Sequence, residues 1–499
     1  MSKYYMGIDQ GTTGTTVLIL DEEWNCLSRG YKEHTQYFPQ PGWVEHDPLE
    51  IWDAIRASVG IAMEKADVKN VDDIACIGLD NQGETVVLWD NVTGVPVYNA
   101  IVWQDRRTAR EADIIAEQYG EMIREKTGLI IDAYFSATKI KWVIENVPGV
   151  KEKIERNRIN AGTLDTWMIW KLTHGKVFVT DQSTASRTML FNVHTGEWDD
   201  EILGALDIPK SILPEIKDSA AVYGNTDPLD FFGARIPISG SVVDQQAALF
   251  GQTCFEPGTV KTTYGTGCFM LMNTGDKPVY SDNGLLTTVG WGLDGGEMTF
   301  ALDGGIYIAG AAVQWLRDKM KLITSASETE EIANSVDDTG GVFFVPAFSG
   351  LAAPHWDQYA RGTIVGITGG TTKEQIVRAT LESMAYQVKD NLDVMVGDSK
   401  IPIEVMRVDG GASVNGFLMQ FQADILGIPV DVPEITDTTA LGAAYLAAYG
   451  IGDFKSIDDI KGKWKLKKRY EPQMDEETRA RLLHKWHKAV ERAKDWEED

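Results

Sequence analysis

The sequence predicts an α/β protein built from two domains, and three observations carry that prediction. Strand-length apolar runs alternate with amphipathic helical stretches, the pattern of layered α/β folds. A strand–turn–strand opening near the start of the chain is echoed by a second strand-rich start beyond residue 250. At 499 residues the chain is too long for a single core. A Gly- and Pro-rich stretch over 224–258 separates the halves, which places the boundary near residue 250 and divides the chain into 1–250 and 251–499.

The elements follow in order. Strands over 4–8, 15–20 and 26–32 form a meander. A helix runs from residue 48 to about 66, with Asp47 as its cap and Pro48 at its first position, where a missing N–H costs nothing. Strands over 74–79 and 85–89 follow, and the return after the helix requires a crossover. In the second half, strands over 259–263 and 268–273 precede a helix at about 305–319. Further helices cover 373–397 and 413–426. The stretch 476–498 reads as an amphipathic helix, because Leu482, Trp486, Val490, Ala493 and Trp496 recur at helical spacing. Its apolar face is expected to pack on the second domain.

Composition excludes several classes. The net charge of -27 argues against nucleic acid or an anionic membrane as partner, since phosphate-backbone binding needs clustered Lys and Arg. It leaves a nucleotide possible, because backbone N–H groups and Mg²⁺ can hold phosphates locally. No run of about 18 apolar residues occurs, so no membrane insertion is expected. The opening Met-Ser-Lys-Tyr-Tyr has no signal-peptide layout, which points to the cytoplasm. Cys26, Cys76, Cys254 and Cys268 show no metal or disulfide spacing and are expected to be reduced, buried thiols.

Three loops have the chemistry of phosphate sites. In the first, Asp9 stands at the tip of the opening strand before Gln10-Gly11-Thr12-Thr13. That turn offers N–H groups and two hydroxyls to an anion, and the carboxylate is suited to a hydrated Mg²⁺. Taken alone, any hairpin can carry an Asp and a Gly. The second loop, Tyr264-Gly265-Thr266-Gly267-Cys268, permits close backbone approach to a phosphate, or is an ordinary hairpin. The third, Val408-Asp409-Gly410-Gly411-Ala412-Ser413-Val414-Asn415 running into a helix over 416–426, places glycines where a flat ring or phosphate can lie.

Asp244, between the apolar run ending at Val243 and the alanine-rich Gln245-Gln246-Ala247-Ala248, has two readings. It is an N-cap, the usual role of such an Asp, or a general base facing the cleft between domains. Segments around Glu84, Trp103 and Tyr134 combine carboxylates with aromatic rings, a set suited to a small polyol. Plain core packing is the alternative for Trp103 and Tyr134. Walker A, protein-kinase catalytic-loop, G-x-S-x-G and H-E-x-x-H strings are all missing.

Together with the strings at 41–48, 99–104, 134–139, 186–192, 244–252, 264–275, 309–318 and 440–445, these loops resemble the FGGY carbohydrate kinases, and within them the glycerol-phosphorylating members. The similarity runs the whole length of the chain. It implies two ribonuclease-H-like lobes of the actin and hexokinase kind, with an interlobe cleft where ATP and substrate meet. By the same resemblance Asp244 is the general base and Asp9 the Mg²⁺-associated carboxylate. Thr12, Thr13, Gly265 and Thr266 border the phosphates. Gly310, Gln314, Gly411 and Asn415 border the adenosine. Glu84, Trp103, Tyr134, Asp244, Gln245 and Phe269 line the polyol pocket. A homodimer or homotetramer is implied as well.

Departures from the family pattern stand out. The glycerol-phosphorylating members usually carry Arg where this chain has Gly83, and that guanidinium donates to substrate hydroxyls. Its loss opens the alternative of a larger, four-carbon polyol, because a cavity is expected at the vacated position. Arg106 and Arg107 are the nearest basic residues in sequence and are expected at the surface, at a helix start. Thr16 replaces a usual Arg beside the first phosphate loop. The loop Asp230-Phe231-Phe232-Gly233-Ala234-Arg235 keeps a Gly-x-Arg resembling the inhibitory sugar-bisphosphate site of some relatives. The reading that follows is an ATP-dependent polyol kinase, glycerol first. A catalytically weak nucleotide-binding sensor is a further alternative, disfavoured by the presence of both Asp9 and Asp244.

Overall fold

The computed structural model describes residues 3–497. Met1 and Ser2 of the leader reading, and Glu498 at the end of the expected last helix, lie outside the described residues.

The first lobe is built on a six-stranded sheet ordered Gly224–Asn225, Pro237–Val243, Ile74–Asn81, Tyr4–Gln10, Gly14–Leu20 and Cys26–Glu33. The last three strands form the expected antiparallel meander. Ile74–Asn81 and Pro237–Val243 lie parallel to the opening strand. The helix Pro48–Lys65 supplies the crossover, and its Ile51, Ile55, Val59 and Ala62 are buried. Asp47 caps it as expected, accepting from Leu49 N–H at 2.8 Å, with Pro48 at the start.

The second sheet repeats this core. Its order is Leu286–Leu293, Glu297–Ile306, Cys268–Gly275, Val260–Tyr264, Met406–Gly410, Val430–Pro433 and Leu466–Tyr470. Val260–Tyr264 again pairs antiparallel with the next strand in sequence and parallel with a strand arriving after a helical crossover. The two lobes are therefore the ribonuclease-H-like pair that the resemblance implies. In both, the carboxyl ends of the central parallel strands carry the loops singled out in the sequence, the place where open α/β sheets receive ligands.

The lobes are joined by more than the chain. The helix Thr438–Gly450 falls between two strands of the second sheet in sequence, Val430–Pro433 and Leu466–Tyr470, but lies on the first sheet. Gly7, Gly78 and Gly240 stand in register on three adjacent parallel strands. A Cβ on Gly7 would sit 2.0 Å from Ala440 O, and one on Gly78 1.9 Å from Ala443 O. These glycines are required because the helix backbone rests directly on the strands. The alanine-rich composition of the helix serves the same close approach.

Several elements differ from expectation. The helix expected at 305–319 is Gly310–Asp318, because the preceding residues extend the strand Glu297–Ile306. The helix expected to begin at 413 or at 416 takes the later start, Gly416–Leu426, after a single 3₁₀ turn over Gly411–Val414. The last helix is Glu476–Ala493. Its Trp486, Val490 and Ala493 are buried in the second lobe's core and Leu482 packs against it, but Trp496 lies beyond the helix and is 65% exposed. All four cysteines are free, and Cys26 is exposed rather than buried. Among the described residues no helix is long and apolar enough to cross a membrane.

Candidate active site

Three carboxylates meet at the ends of three neighbouring strands. Asp9 pairs in register with Asp80 on the adjacent parallel strand, and Asp80 with Val242 on the next, two residues before Asp244. Thr439 Oγ1, from the helix laid across the sheet, donates to Asp9 Oδ2 at 2.7 Å. Asp80 is fully buried and both its oxygens lack hydrogen-bond partners. Burial, then the charge of Asp9, holds the Asp80 carboxyl well above the usual carboxylate range. Burial also raises Asp9, against the bond from Thr439.

Asp244 is not an N-cap. It is the first residue of the helix Asp244–Gly251, with Val243 at the cap position, and its Oδ1 accepts from Gln245 N–H at 2.7 Å. Its pKa is raised to about 7, first by burial and then by Glu84, with Lys261 opposing. Lys261 is itself fully buried. Its ammonium donates to Gln245 Oε1, which fixes that amide, and to Thr263 Oγ1 at 3.1 Å.

The polyol-type residues converge beside Asp244. Glu84 is buried in the left-handed region at φ 59°. A non-glycine residue held there stores strain that its surroundings must compensate. Here Ser136 Oγ and Lys139 Nζ clamp its carbonyl at 3.1 and 3.3 Å. Its carboxylate accepts from Arg187 Nε at 2.6 Å. Trp103 stands edge-on to Tyr134, with ring centroids 5.7 Å apart, and to Phe269 of the second lobe at 6.5 Å. The three rings make an apolar box open to C–H edges. Trp103 Nε1 donates to Thr12 Oγ1 at 2.9 Å, tying the box to the first phosphate-type loop.

The second and third loops assemble on their own sheet. Gly265 O accepts from Gly310 N–H at 3.1 Å, and Thr266 O from Ala309 and Ala311 N–H at 2.9 and 3.0 Å. The turn thus sits on the start of the helix carrying Gln314, which faces solvent. A Cβ on Gly310 would lie 2.5 Å from Gly265 O, so this position accepts only glycine. Gly411 is open to solvent, and Asn415 caps the next helix through Leu418 N–H at 3.0 Å. Thr13 is exposed.

Two expectations drawn from the departures are overturned. The space beside Gly83 is not a cavity: a Cβ there would meet Val243 Cγ2 at 2.7 Å. Arg107 is not a surface residue. Its side chain is buried, paired with Glu45 at 2.7 Å and Asp105 at 2.8 Å, and lies 3.7 Å over the Trp43 ring. Arg106 is half exposed and pairs with Asp132. Neither belongs to the helix, which begins at Ala109. Beside the first loop, Thr16 Oγ1 accepts from Arg29 Nη2 at 3.1 Å, so the neighbouring strand brings a guanidinium there.

Sequence reasoning assigned no role to Asp80, Arg187, Lys261, Asp303 or Thr439. Asp80 had a signal: a carboxylate ending a strand predicted to return beside the opening one. The others have none, since only folding brings them near.

The Val243 contact gives a stability prediction. Gly83→Ala destabilises the protein by about 1–3 kcal/mol, the range for overpacking a filled site. Gly83→Ala with Val243→Ala recovers most of that loss in urea denaturation. Equal losses in the single and double variants would sink the steric account.

The comparisons with known proteins agree along the whole chain. The model for the FGGY family of carbohydrate kinases, N-terminal domain, matches residues 4–251, and that for its C-terminal domain matches 260–451. The chain is 58% identical over 496 residues to glycerol kinase 2 of Thermotoga maritima, with 99% of each covered. It is 56% identical over 501 residues to the glycerol kinase of Caldanaerobacter subterraneus subsp. tengcongensis, with 100% of each covered. Among solved structures it is similar to Plasmodium falciparum glycerol kinase with ADP, at 38% identity and a TM-score of 0.91, covering 99% of this chain and 98% of that one. A gluconate kinase from Lactobacillus acidophilus, 21% identical with a TM-score of 0.86 over 98% of this chain and 97% of that one, shares the fold.

Proposed function

The chain belongs to the FGGY family of carbohydrate kinases, and from that premise we infer that it phosphorylates glycerol with ATP, giving glycerol 3-phosphate and ADP. The observation that carries the reading is Asp244 itself. A carboxylate raised to about 7 stands close to Glu84, which is paired with a buried guanidinium, and to Tyr134 of the three-ring aromatic box.

In this reading Glu84 and Gln245 accept and donate to the glycerol hydroxyls, while Trp103, Tyr134 and Phe269 cover its carbon edge. Asp244 takes the proton of the terminal hydroxyl as its oxygen bonds to the γ-phosphorus and the bond to ADP breaks. A base near pH 7 is matched to that task, being ionised when needed yet basic enough to accept the proton. The N–H groups and hydroxyls of Thr12, Thr13, Gly265 and Thr266 hold the phosphates, and Gly310, Gln314, Gly411 and Asn415 hold the adenosine. The first lobe, 1–250, then carries most of the polyol pocket, and 251–499 most of the nucleotide site.

The residues also fit Mg²⁺. Asp9 and the unpartnered oxygens of Asp80 form an all-oxygen donor set, which suits a hard dication. When bound there, the metal neutralises charge on the nucleotide phosphates. The reading includes a cytoplasmic homodimer or homotetramer, which sedimentation equilibrium tests.

The four-carbon alternative loses its basis, because Val243 fills the space that Gly83 was expected to leave. The test is a coupled ADP-release assay over polyols of three to five carbons, with the product identified by ³¹P NMR. Glycerol giving the highest kcat/KM supports the reading. Turnover confined to a longer polyol sinks it.

A further inference from the structure

We propose that Arg187 is a substrate-binding residue whose Nη1 group donates a hydrogen bond to a hydroxyl of the bound polyol. The assignment rests on the glycerol reading above and names a donor in that site.

Arg187 lies between Met189 and the helix Gln182–Ala185, far in sequence from the pocket strings, and is 3% exposed. Two of its three nitrogens are used. Nε donates to Glu84 Oε1 at 2.6 Å, and Nη2 lies 3.1 Å from Asp303 Oδ2. Nη1 has no partner. The guanidinium carbon lies 5.7 Å from the Tyr134 ring centroid and 5.5 Å from that of Phe135. The group therefore lies beside Glu84 and Tyr134, two residues already assigned to the polyol.

An unpaired buried donor on a charged group is costly, and folded proteins seldom leave one. Its persistence here calls for an acceptor that arrives later. The guanidinium is planar, so two fixed edges determine where the third points. Those edges are fixed from opposite lobes, Glu84 from the first and Asp303 from the second. Glu84, Asp303 and Asp244 already make the surroundings anionic, which disfavours a further anion. A neutral hydroxyl fits: its lone pair accepts from Nη1 while the carboxylates take O–H groups. A site built this way rejects an analogue lacking that hydroxyl, because Nη1 is then left unpaired.

The test compares wild type with Arg187→Lys, which keeps a cation for both carboxylates but loses the planar fork. Calorimetry measures Kd for glycerol, 1,2-propanediol, 1,3-propanediol and ADP. The expected result is a glycerol Kd about tenfold or more higher in the variant, as for loss of one charge-assisted bond. ADP affinity should stay within about twofold, as for a residue outside the nucleotide site. One of the two diols should also lose its disadvantage against glycerol. A folded variant that binds glycerol as wild type does, or that keeps both diol penalties, overturns the assignment. Should the variant not fold, a crystal structure of the wild-type glycerol complex decides. Nη1 within about 3.2 Å of a glycerol oxygen supports the assignment, and a separation beyond about 4 Å overturns it. Wild type that does not bind glycerol at all sinks the underlying reading and this assignment with it, whereas a negative result confined to Arg187→Lys sinks the assignment alone.

Discussion

Asp244→Asn lowers kcat for glycerol by about 10²–10⁴-fold, the contribution of a positioned general base, while ADP binding and the fold persist. The amide keeps the shape and the bond from Gln245 N–H but cannot accept the hydroxyl proton. A variant retaining more than about a tenth of wild-type kcat would show that Asp244 is not the base. The pH profile adds an independent check. Burial, then Glu84, raises the carboxyl to about 7, against the opposing charge of Lys261. The base works ionised, so kcat/KM of the wild type falls tenfold per pH unit below that value. Stability runs the other way. The folded protein holds a proton that the unfolded chain releases near the ordinary carboxylate pKa of 3.8. The stabilisation is present in acid and is lost as pH rises through about 7. Asn has no charge to bury, so the melting temperature of Asp244→Asn gains on wild type between pH 5 and pH 8. A gap independent of pH would contradict the burial argument.

Asp9→Ala removes most Mg²⁺-dependent activity. A metal that neutralises transferring phosphate supplies several kcal/mol, so kcat/KM for MgATP falls about 10²-fold or more. The fold survives, because Asp9 is a strand-tip residue held by the Thr439 hydroxyl, and its removal relieves the charge facing Asp80. Glycerol affinity is unchanged, since the aromatic box and Glu84 stay in place. A Mg²⁺ activation curve that superimposes on the wild-type curve would place the metal on other residues.

The legible part of this protein was local. Alternating apolar runs, the Asp47-Pro48 start and the Gly-Thr turns are set by residues within a few positions of one another, and they specified the strands, the first helix and the loops. Asp9 and Asp244 were recognisable because each ends an apolar run. The end of the last helix was misread because Trp496 continues a helical spacing beyond Ala493, where the chain leaves the core.

Tertiary structure alone decided how the site is filled. A glycine at position 83 reads as missing volume, yet Val243, 160 positions away, occupies that space. Arg107 reads as a surface cation, but Glu45, Asp105 and Trp43 bury it. Arg187 reaches Glu84 only because folding brings Glu84 and Asp303 to it from different lobes. Glycines 7, 78 and 240 form one platform only after three strands align under the Thr438–Gly450 helix. The physical reason is common to all four. Periodicity along a chain reports which face of an element is buried, whereas packing and charge pairing depend on which distant residue arrives at that face.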